Sequence, residues 1–363
     1  MKKWVLGFIG GLIILLAGYI FFVEPATFFS PLSSSFEQGP FFKPSIATYT
    51  PDRVSLAIIF ADNHDWVATL SGERIRTIVA TGDVIVARVV NIQTTKRDDF
   101  AWPFEKTADF LKSADVTFIN LEAPLTEDCP MVNEGFKFCG DARHVEGLVF
   151  AGIDVASIAN NHAGNYGIEG IENTTQLLSE NNILVAGRNK TVYKNVRGIK
   201  FAFLGYNDIG YEEKGISWTN DDVMRSEIAE ARKNADVVIV GVHWGAEYQS
   251  QPDKRQIDLG HLIVDSGADI VIGNHPHWIQ PVEVYKDKLI VYAHGNFVFD
   301  QEWSQETKEG VVGKYTFYDD SLIDVEFLPI FIEDWGQPYF LEGEEKRAIL
   351  GRMKKESIIL SNL

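Results

Sequence analysis

Six times along this chain a short apolar run breaks into a cluster of polar, chemistry-bearing residues. This repeated break constrains the fold more than any other feature. The breaks are Thr81–Asp83, Asn120–Glu122, Ala159–His162, His243–Gly245, Gly273–His277 and His294–Phe297. The runs before them (DVTFINLE, DVVIVGVHWG, ADIVIGNHPH) are nearly continuous in Val and Ile. That is the pattern of strands covered on both faces, not of strands with one wet side. Ligand sites in open α/β sheets collect at the carboxyl ends of strands. Of the 8 histidines, His162, His243, His275, His277 and His294 all fall at such breaks, a concentration that random placement does not ordinarily produce.

Helical patterns separate these runs. PFEKTADFLKSA, HVEGLVFAG, residues 168–181, DDVMRSEIAEARKNA and KRQIDLGHLIVDSG carry apolar residues at helical spacing. TVYKNVRGIKFAFLGY and VEVYKDKLIVYAHGNF read as hairpins around central turn residues. The sequence therefore predicts a layered α/β protein with added antiparallel hairpins. Upstream, VSLAIIF, WVATL and RIRTIVA suggest a small strand addition over 51–75, ahead of a main domain over 76–330. A C-terminal extension follows over 331–363, with a charged surface helix from Glu342 onward.

Trp4–Val23 is an uncharged, mostly apolar run preceded by Lys2 and Lys3 and stopped by Glu24–Pro25. As a helix it spans roughly 30 Å, one bilayer core. The lysines predict a cytoplasmic N-terminus and a single-pass signal anchor over 1–24, with the main domain extracellular. A cleaved signal peptide is the competing expectation, although Glu24 makes a poor cleavage context beside Ala26. Residues 25–50, rich in Pro, Ser, Phe and Thr, read as a tether. The net charge of −18 argues against a nucleic-acid partner. Cys129 and Cys139 are the 2 cysteines. A disulfide closing this short loop is expected outside the cell, with two free thiols as the alternative.

The strand-end residues form a coherent ligand set. Asp83, Glu122, Asn161, His162, His243, His275 and His277 combine carboxylate, amide and imidazole donors, a mixture suited to Mn, Fe or Zn rather than Ca or Mg. Glu122 can bridge two ions in a centre that clamps a phosphoryl oxygen. Pro276 is expected to hold His275 extended, so that His275 and His277 face one centre. Taken singly, each histidine is more simply a hydrogen-bonded structural residue. Asp83 alone reads as an Asx turn, and Asn160–Asn161 as a helix cap. His64, His144 and His261 carry no such pattern.

The ordered series GD, ADVTFINLEAPLT, GIDVASIANNHAGNYGIEGIENT, ADVVIVGVHWGAEY, GADIVIGNHPHWIQPVEVY and LIVYAHGNFVFDQ resembles the CapA capsule-synthesis family over about Ile75 to Gln301. The resemblance implies a four-layer α-β-β-α sandwich of the calcineurin-like metallophosphoesterase type. It implies metal-site roles for the seven residues named above, with His162 and His243 at catalytic positions, and one or two divalent transition-metal ions. The implied partners are poly-γ-glutamate and membrane-bound synthase components. A free-standing phosphoesterase and a non-catalytic binding module remain the alternative functions. Three departures stand out. Asn165 occupies a position where the family commonly carries Asp, Asn274 one where it often carries His, and His294, before GNF, one where Leu is frequent. Asp62-Asn63-His64 also imitates the opening motif of ordinary metallophosphoesterases.

Overall fold

The computed structural model describes residues 54–362, all within one compact unit. The apolar run Trp4–Val23 and the tether 25–50 lie outside the described residues. Among those described, no helix is long and apolar enough to cross a membrane.

The chain starts one sheet with β1 (Ile75–Val84) and β2 (Val116–Leu121). It makes a small separate pair, β3 (Leu125–Thr126) and β4 (Gly140–Asp141), then resumes with β5 (Val155–Ser157) and β6 (Leu184–Ala186). A complete second sheet follows: β7 (Val192–Val196), β8 (Ile199–Asn207), β9 (Val237–His243), β10 (Ile270–Asn274), β11 (Val282–Tyr285) and β12 (Lys288–Val291). Only then does the chain return to the first sheet with β13 (Asn296–Val298), β14 (Glu309–Tyr318), β15 (Ser321–Glu333) and β16 (Gln337–Phe340). The first sheet runs β16-β15-β14-β1-β2-β5-β6, with β13 also paired to β1. The second runs β11-β12-β10-β9-β8-β7. Both expected hairpins are present as the antiparallel pairs β7–β8 and β11–β12.

Side-chain alternation sorts the core into three layers. Ile78 and Ala80 of β1, Val116 and Phe118 of β2, Phe201 and Phe203 of β8, Val237 and Ile239 of β9, and Ile270 and Ile272 of β10 pack together between the sheets. Phe118 stacks on Phe203 with ring centroids 6.1 Å apart. Val79, Ile119, Leu121 and Ala156 face the other way, onto Leu148 of the helix His144–Phe150 and Leu178 of the helix Gly167–Glu180. Val238, Val240 and Val271 face Met224, Ile228, Leu259 and Ile263. The order is helix, sheet, sheet, helix. Fully burying each such Val, Ile or Phe contributes roughly 1.5–3 kcal/mol.

The helices are α1 (Leu56–Ile59), α2 (Arg88–Arg97), α3 (Ala108–Lys112), α4 (His144–Phe150), α5 (Gly167–Glu180), α6 (Asp221–Asn234), α7 (Lys254–Asp265), α8 (Gln305–Lys308) and α9 (Gly343–Leu360). Three details depart from the sequence expectations. The strands foreseen upstream of Ile75 are absent over 54–74, where the chain makes α1 and two 3-10 turns. Ser55 caps α1 by accepting the Ile58 N–H, and Asn63 accepts the Asp65 N–H, so local side chains hold turns there instead of a ladder. The helix foreseen over PFEKTADFLKSA shrinks to a 3-10 turn at Trp102–Phe104 and α3. Nor is residue 330 a boundary: β15 runs through it, and α9 sends Ile349 and Met353 into the layer between the sheets. Ser357 Oγ of α9 also accepts the Val282 N–H of β11 at 3.0 Å.

Four histidines serve this framework. His64 bonds Asp324 of β15, which pairs through Thr316 of β14 to Thr77 near the start of β1, far from the polar strand ends, so the Asp62-Asn63-His64 imitation plays no part in the strand-end cluster. His261 bonds Glu283 and stacks on Tyr285. His144 and His294 are fully buried, and burial pushes them down to about 3 and about 4. The folded protein keeps both neutral, whereas the unfolded chain protonates them near the ordinary value of 6.5. Stability is therefore complete above that value and falls as pH drops below it, by about 1.4 kcal/mol per pH unit for each. Urea-unfolding midpoints taken from about pH 7 to about pH 4.5 should decline. His144→Gln should flatten that slope, and an unchanged slope would show that His144 is not its source.

Candidate metal centre

The alternation that builds the inter-sheet core also delivers the polar cluster. Counting by twos from Val116 and Phe118 reaches Asn120; from Val237, His243; from Ile270, Asn274. A register irregularity between Ala80 and Asp83 turns Asp83 toward Asn120. Gly82 permits the close approach this needs, since a Cβ there would stand 2.1 Å from the Gly295 carbonyl oxygen. Loops at the same ends of the strands add Glu122, Asn160, Asn161, His162, His275 and His277. The cluster thus caps the shared core where both sheets end.

Obligate donors and acceptors fix most of the protons. Asn160 Nδ2 donates to the Leu121 carbonyl and to Asn120 Oδ1. Asn120 Nδ2 therefore donates to Asp83 Oδ1 at 2.8 Å and faces His243 Nδ1 at 3.3 Å. His243 Nδ1 accepts, and its Nε2–H donates to Asn161 Oδ1 at 2.9 Å. Asn296 Nδ2 donates to the Thr307 carbonyl, so its oxygen faces His277. His277 Nδ1–H is then shared between Asn296 Oδ1 at 2.9 Å and Asp83 Oδ2 at 3.1 Å. The His275 N–H also donates to Asp83.

Glu122 is different. It is wholly buried, and neither carboxylate oxygen has a hydrogen-bond donor. His243 Nε2 lies 3.4 Å and His162 Nε2 4.0 Å from its Oε1. Buried His275 Nδ1 is likewise unpartnered. Burial, then the adjacent Asp83 charge, raise the Glu122 carboxyl well above its usual range. Burial works in the same sense on Asp83, but there the His277 hydrogen bond and charge, with His243 and Asn120, prevail and hold it low. For His277 burial opposes charge, yet Asp83, Glu122 and the exposed Glu247 raise it to about 9. Burial pushes His243 down to about 3 and His162 to about 4.

Ligand atoms of Glu122, His275 and His277 lie within 4.8 Å of one another, as do those of Asp83, Glu122 and His243. Carboxylate and imidazole donors that converge in a buried place, some with no hydrogen-bond partner, fit a divalent cation. All seven residues singled out in the sequence meet in this cluster. Asn161 directs its oxygen to His243. His162 keeps 12% of its side chain exposed against 1% for His243.

The expected extended geometry at Pro276 is not found. His275 has φ +98° and His277 φ +58°, a region that non-glycine residues visit rarely and that concentrates at functional sites. Backbone strain, not a straight strand, brings the rings to 5.8 Å between centroids. The sequence reading also passed over Asn120, Asn296 and Glu247. The first two stand inside the motifs NLE and HGNF, beside residues with more familiar ligand chemistry. The cysteines form the Cys129–Cys139 disulfide.

Fold and site together describe a two-sheet α/β protein with a polar cluster at its strand ends. Residues 77–301 match the bacterial capsule synthesis protein PGA_cap family, and the chain belongs to it. Over 303 residues it is 31% identical to the capsule biosynthesis protein CapA of Bacillus anthracis, covering 77% of this chain and 73% of that one. It is 30% identical over 294 residues to the PGA biosynthesis protein CapA of Bacillus subtilis (strain 168), covering 76% and 77%. A probable polyglutamine synthesis accessory protein of Mycobacterium tuberculosis is 26% identical over 61% of this chain and 66% of its own. Among solved structures, a novel phosphatase of Mycoplasma pneumoniae aligns at 13% identity and TM-score 0.48, over 72% of this chain and 95% of that one.

Because Glu122 is buried without a donor, removing its charge should relieve the fold. In chelator-treated protein at neutral pH, Glu122→Gln should raise the unfolding free energy by roughly 1 kcal/mol or more. A lower value would mean that the carboxylate is compensated.

Proposed function

We propose that this chain is a membrane-anchored extracellular protein of poly-γ-glutamate capsule synthesis or export, working beside membrane-bound synthase components. In this proposal its strand-end cluster holds one or two divalent transition-metal ions, Mn, Fe or Zn. The names of the relatives support the pathway, and Trp4–Val23 with Lys2 and Lys3 supports the anchor. The layered sheets support a metallophosphoesterase-type sandwich. The observation that carries the metal is Glu122, whose buried oxygens meet imidazoles and no donor.

Asp83, Glu122, His243, His275 and His277 would hold the ions, with Asn161 and His162 at the edge. When bound, such an ion supplies Lewis acidity toward a phosphoryl or carboxylate oxygen. The chain itself does the orienting. Asn120 and Asn296 aim Asp83 and His277, and the cluster is buried except at Asn161 and His162, which are partly exposed. His162 is the group proposed to exchange a proton with a substrate; His243, for which the resemblance implies the same role, is enclosed with both ring nitrogens in hydrogen bonds and is placed here among the ligands. Hydrolysis of a free phosphoester is the second reading, favoured by the partial exposure of His162.

Elemental analysis of the full chain after growth with Mn, Fe and Zn should find bound metal. His275→Ala and His162→Ala should each lower it, whereas surface-paired His261→Ala should not. Metal-free parent protein would end the metal proposal. Metal without turnover of generic phosphoesters would exclude the free-standing hydrolase and leave the capsule role or a binding module.

Topology has a separate test. Protease added to intact, wall-stripped cells should remove the domain after Glu24, and full protection would refute the external location. A strain whose only copy is His275→Ala should lose surface polymer.

A further inference from the structure

The loop closed by Cys129–Cys139 supplies none of the carboxylates or imidazoles of the cluster, yet one of its residues lies against His162. The Phe138 ring stacks on the His162 imidazole with centroids 4.0 Å apart and planes 23° apart. The Phe138 N–H points at Asn165 Oδ1 from 2.6 Å, and His162 Nδ1 lies 3.0 Å from the same oxygen. A backbone N–H can only donate, so the Asn165 atom facing it is the carbonyl oxygen and not the amide nitrogen. His162 Nδ1, facing that oxygen, must then carry its hydrogen. The other ring nitrogen, Nε2, keeps a lone pair and stands 4.0 Å from Glu122 Oε1.

The opposite tautomer would have a different consequence. An Nε2–H would point its hydrogen toward the Glu122 carboxylate, too far at 4.0 Å for a hydrogen bond, and would leave that nitrogen without a lone pair. The Nδ1–H form leaves Nε2 able to ligate or to accept a proton. Several contacts hold the arrangement. The His162 N–H donates to Asn160 Oδ1. Arg88, paired with buried Asp300, lies over both Phe138 and Phe299 and donates to the Gly135 carbonyl of the loop. The disulfide closes the loop behind Phe138.

We infer that Asn165, braced by the disulfide-closed loop through Phe138, is the positioning residue that sets His162 as its Nδ1–H tautomer with Nε2 turned to Glu122. The value of this tautomer rests on the metal-centre proposal; the tautomer itself does not. Asn165 touches no reacting atom and acts through His162. Aspartate, which accepts from the same two donors, satisfies the same requirement, whereas an apolar side chain does not.

The test is the ring-nitrogen NMR spectrum of the full-length chain, labelled with 15N-histidine and treated with chelator, with His162→Gln identifying the His162 signals. The parent should show the proton on Nδ1 of His162. Asn165→Ala should lose that form and gain Nε2–H, and Asn165→Asp should restore Nδ1–H. Unchanged signals from His64, His144, His261 and His294 would certify that each variant is folded. C129S/C139S, with Asn165 intact and the loop open, should show both tautomers. An Nε2–H parent, or Asn165→Ala that keeps Nδ1–H in a folded chain, would overturn the inference. An Nδ1–H parent that binds no Mn, Fe or Zn would uphold it while removing the metal-centre proposal.

Discussion

Two carboxylates buried side by side at the end of an apolar seam organise this molecule. Asp83 and Glu122 are both wholly enclosed, and burying an uncompensated carboxylate costs several kcal/mol. The fold compensates them unequally. Asp83 receives Asn120, the His275 backbone and the His277 ring. Glu122 receives no hydrogen. The amides of Asn120, Asn160 and Asn296 hold their neighbours in set proton states, each oriented by a backbone carbonyl or by another amide so oriented. Such a chain of obligate donors resists rearrangement, because turning any one amide breaks bonds at both of its ends.

The seam explains why this cluster sits where it does. Phe118, Phe203, Ile239 and Ile272 all project between the sheets, and the inward positions that follow, Asn120 and Asn274 directly and His243 after the close-packed Gly241, fall beyond that layer. At those positions side chains from both sheets come within bonding range of each other: Asn120 of β2 meets His243 of β9. Neither sheet alone holds the set, and a shift of one residue in any strand's register would turn its contribution to the opposite face.

Much of this was legible in the sequence, for a definite reason. A buried parallel strand is a monotonous Val/Ile run, so a His, Asp or Glu at its end stands out. DVVIVGVH and ADIVIGNHPH are the clearest cases. Asn120 and Asn296 were hidden, because an asparagine near a turn signals nothing more than a turn. The conformation of His275-Pro276-His277 was misread: proline restricts the preceding residue only as a preference, and tertiary bonds to Asp83 and Asn296 prevailed. Helix α2 (RVVNIQTTKR) lacks an apolar stripe and went unseen. It buries Val90, Asn91 and Thr94, along with Arg88 at its start. Upstream of Ile75, apolar runs of strand-like composition became turns, since Ser55 and Asn63 supplied local partners that periodicity does not register.

The chain's route, which leaves the first sheet after β6 and returns at β13, bears on how the protein comes into being. β1 lies between β2 and β14, and Ile75 pairs with Tyr318. The central strand of that sheet therefore waits for a partner made more than two hundred residues later. Loop closure over such a separation is slow, and until it happens the apolar faces of β1, β2 and β5 have no complete cover. A chain delivered from its N-terminus, by ribosome or translocon, cannot lock its first half as it emerges. The second sheet, contiguous in sequence, does not share this wait, but the first stays incomplete until β14 has been made, which leaves a long interval in which the nascent domain is open to proteases and to aggregation.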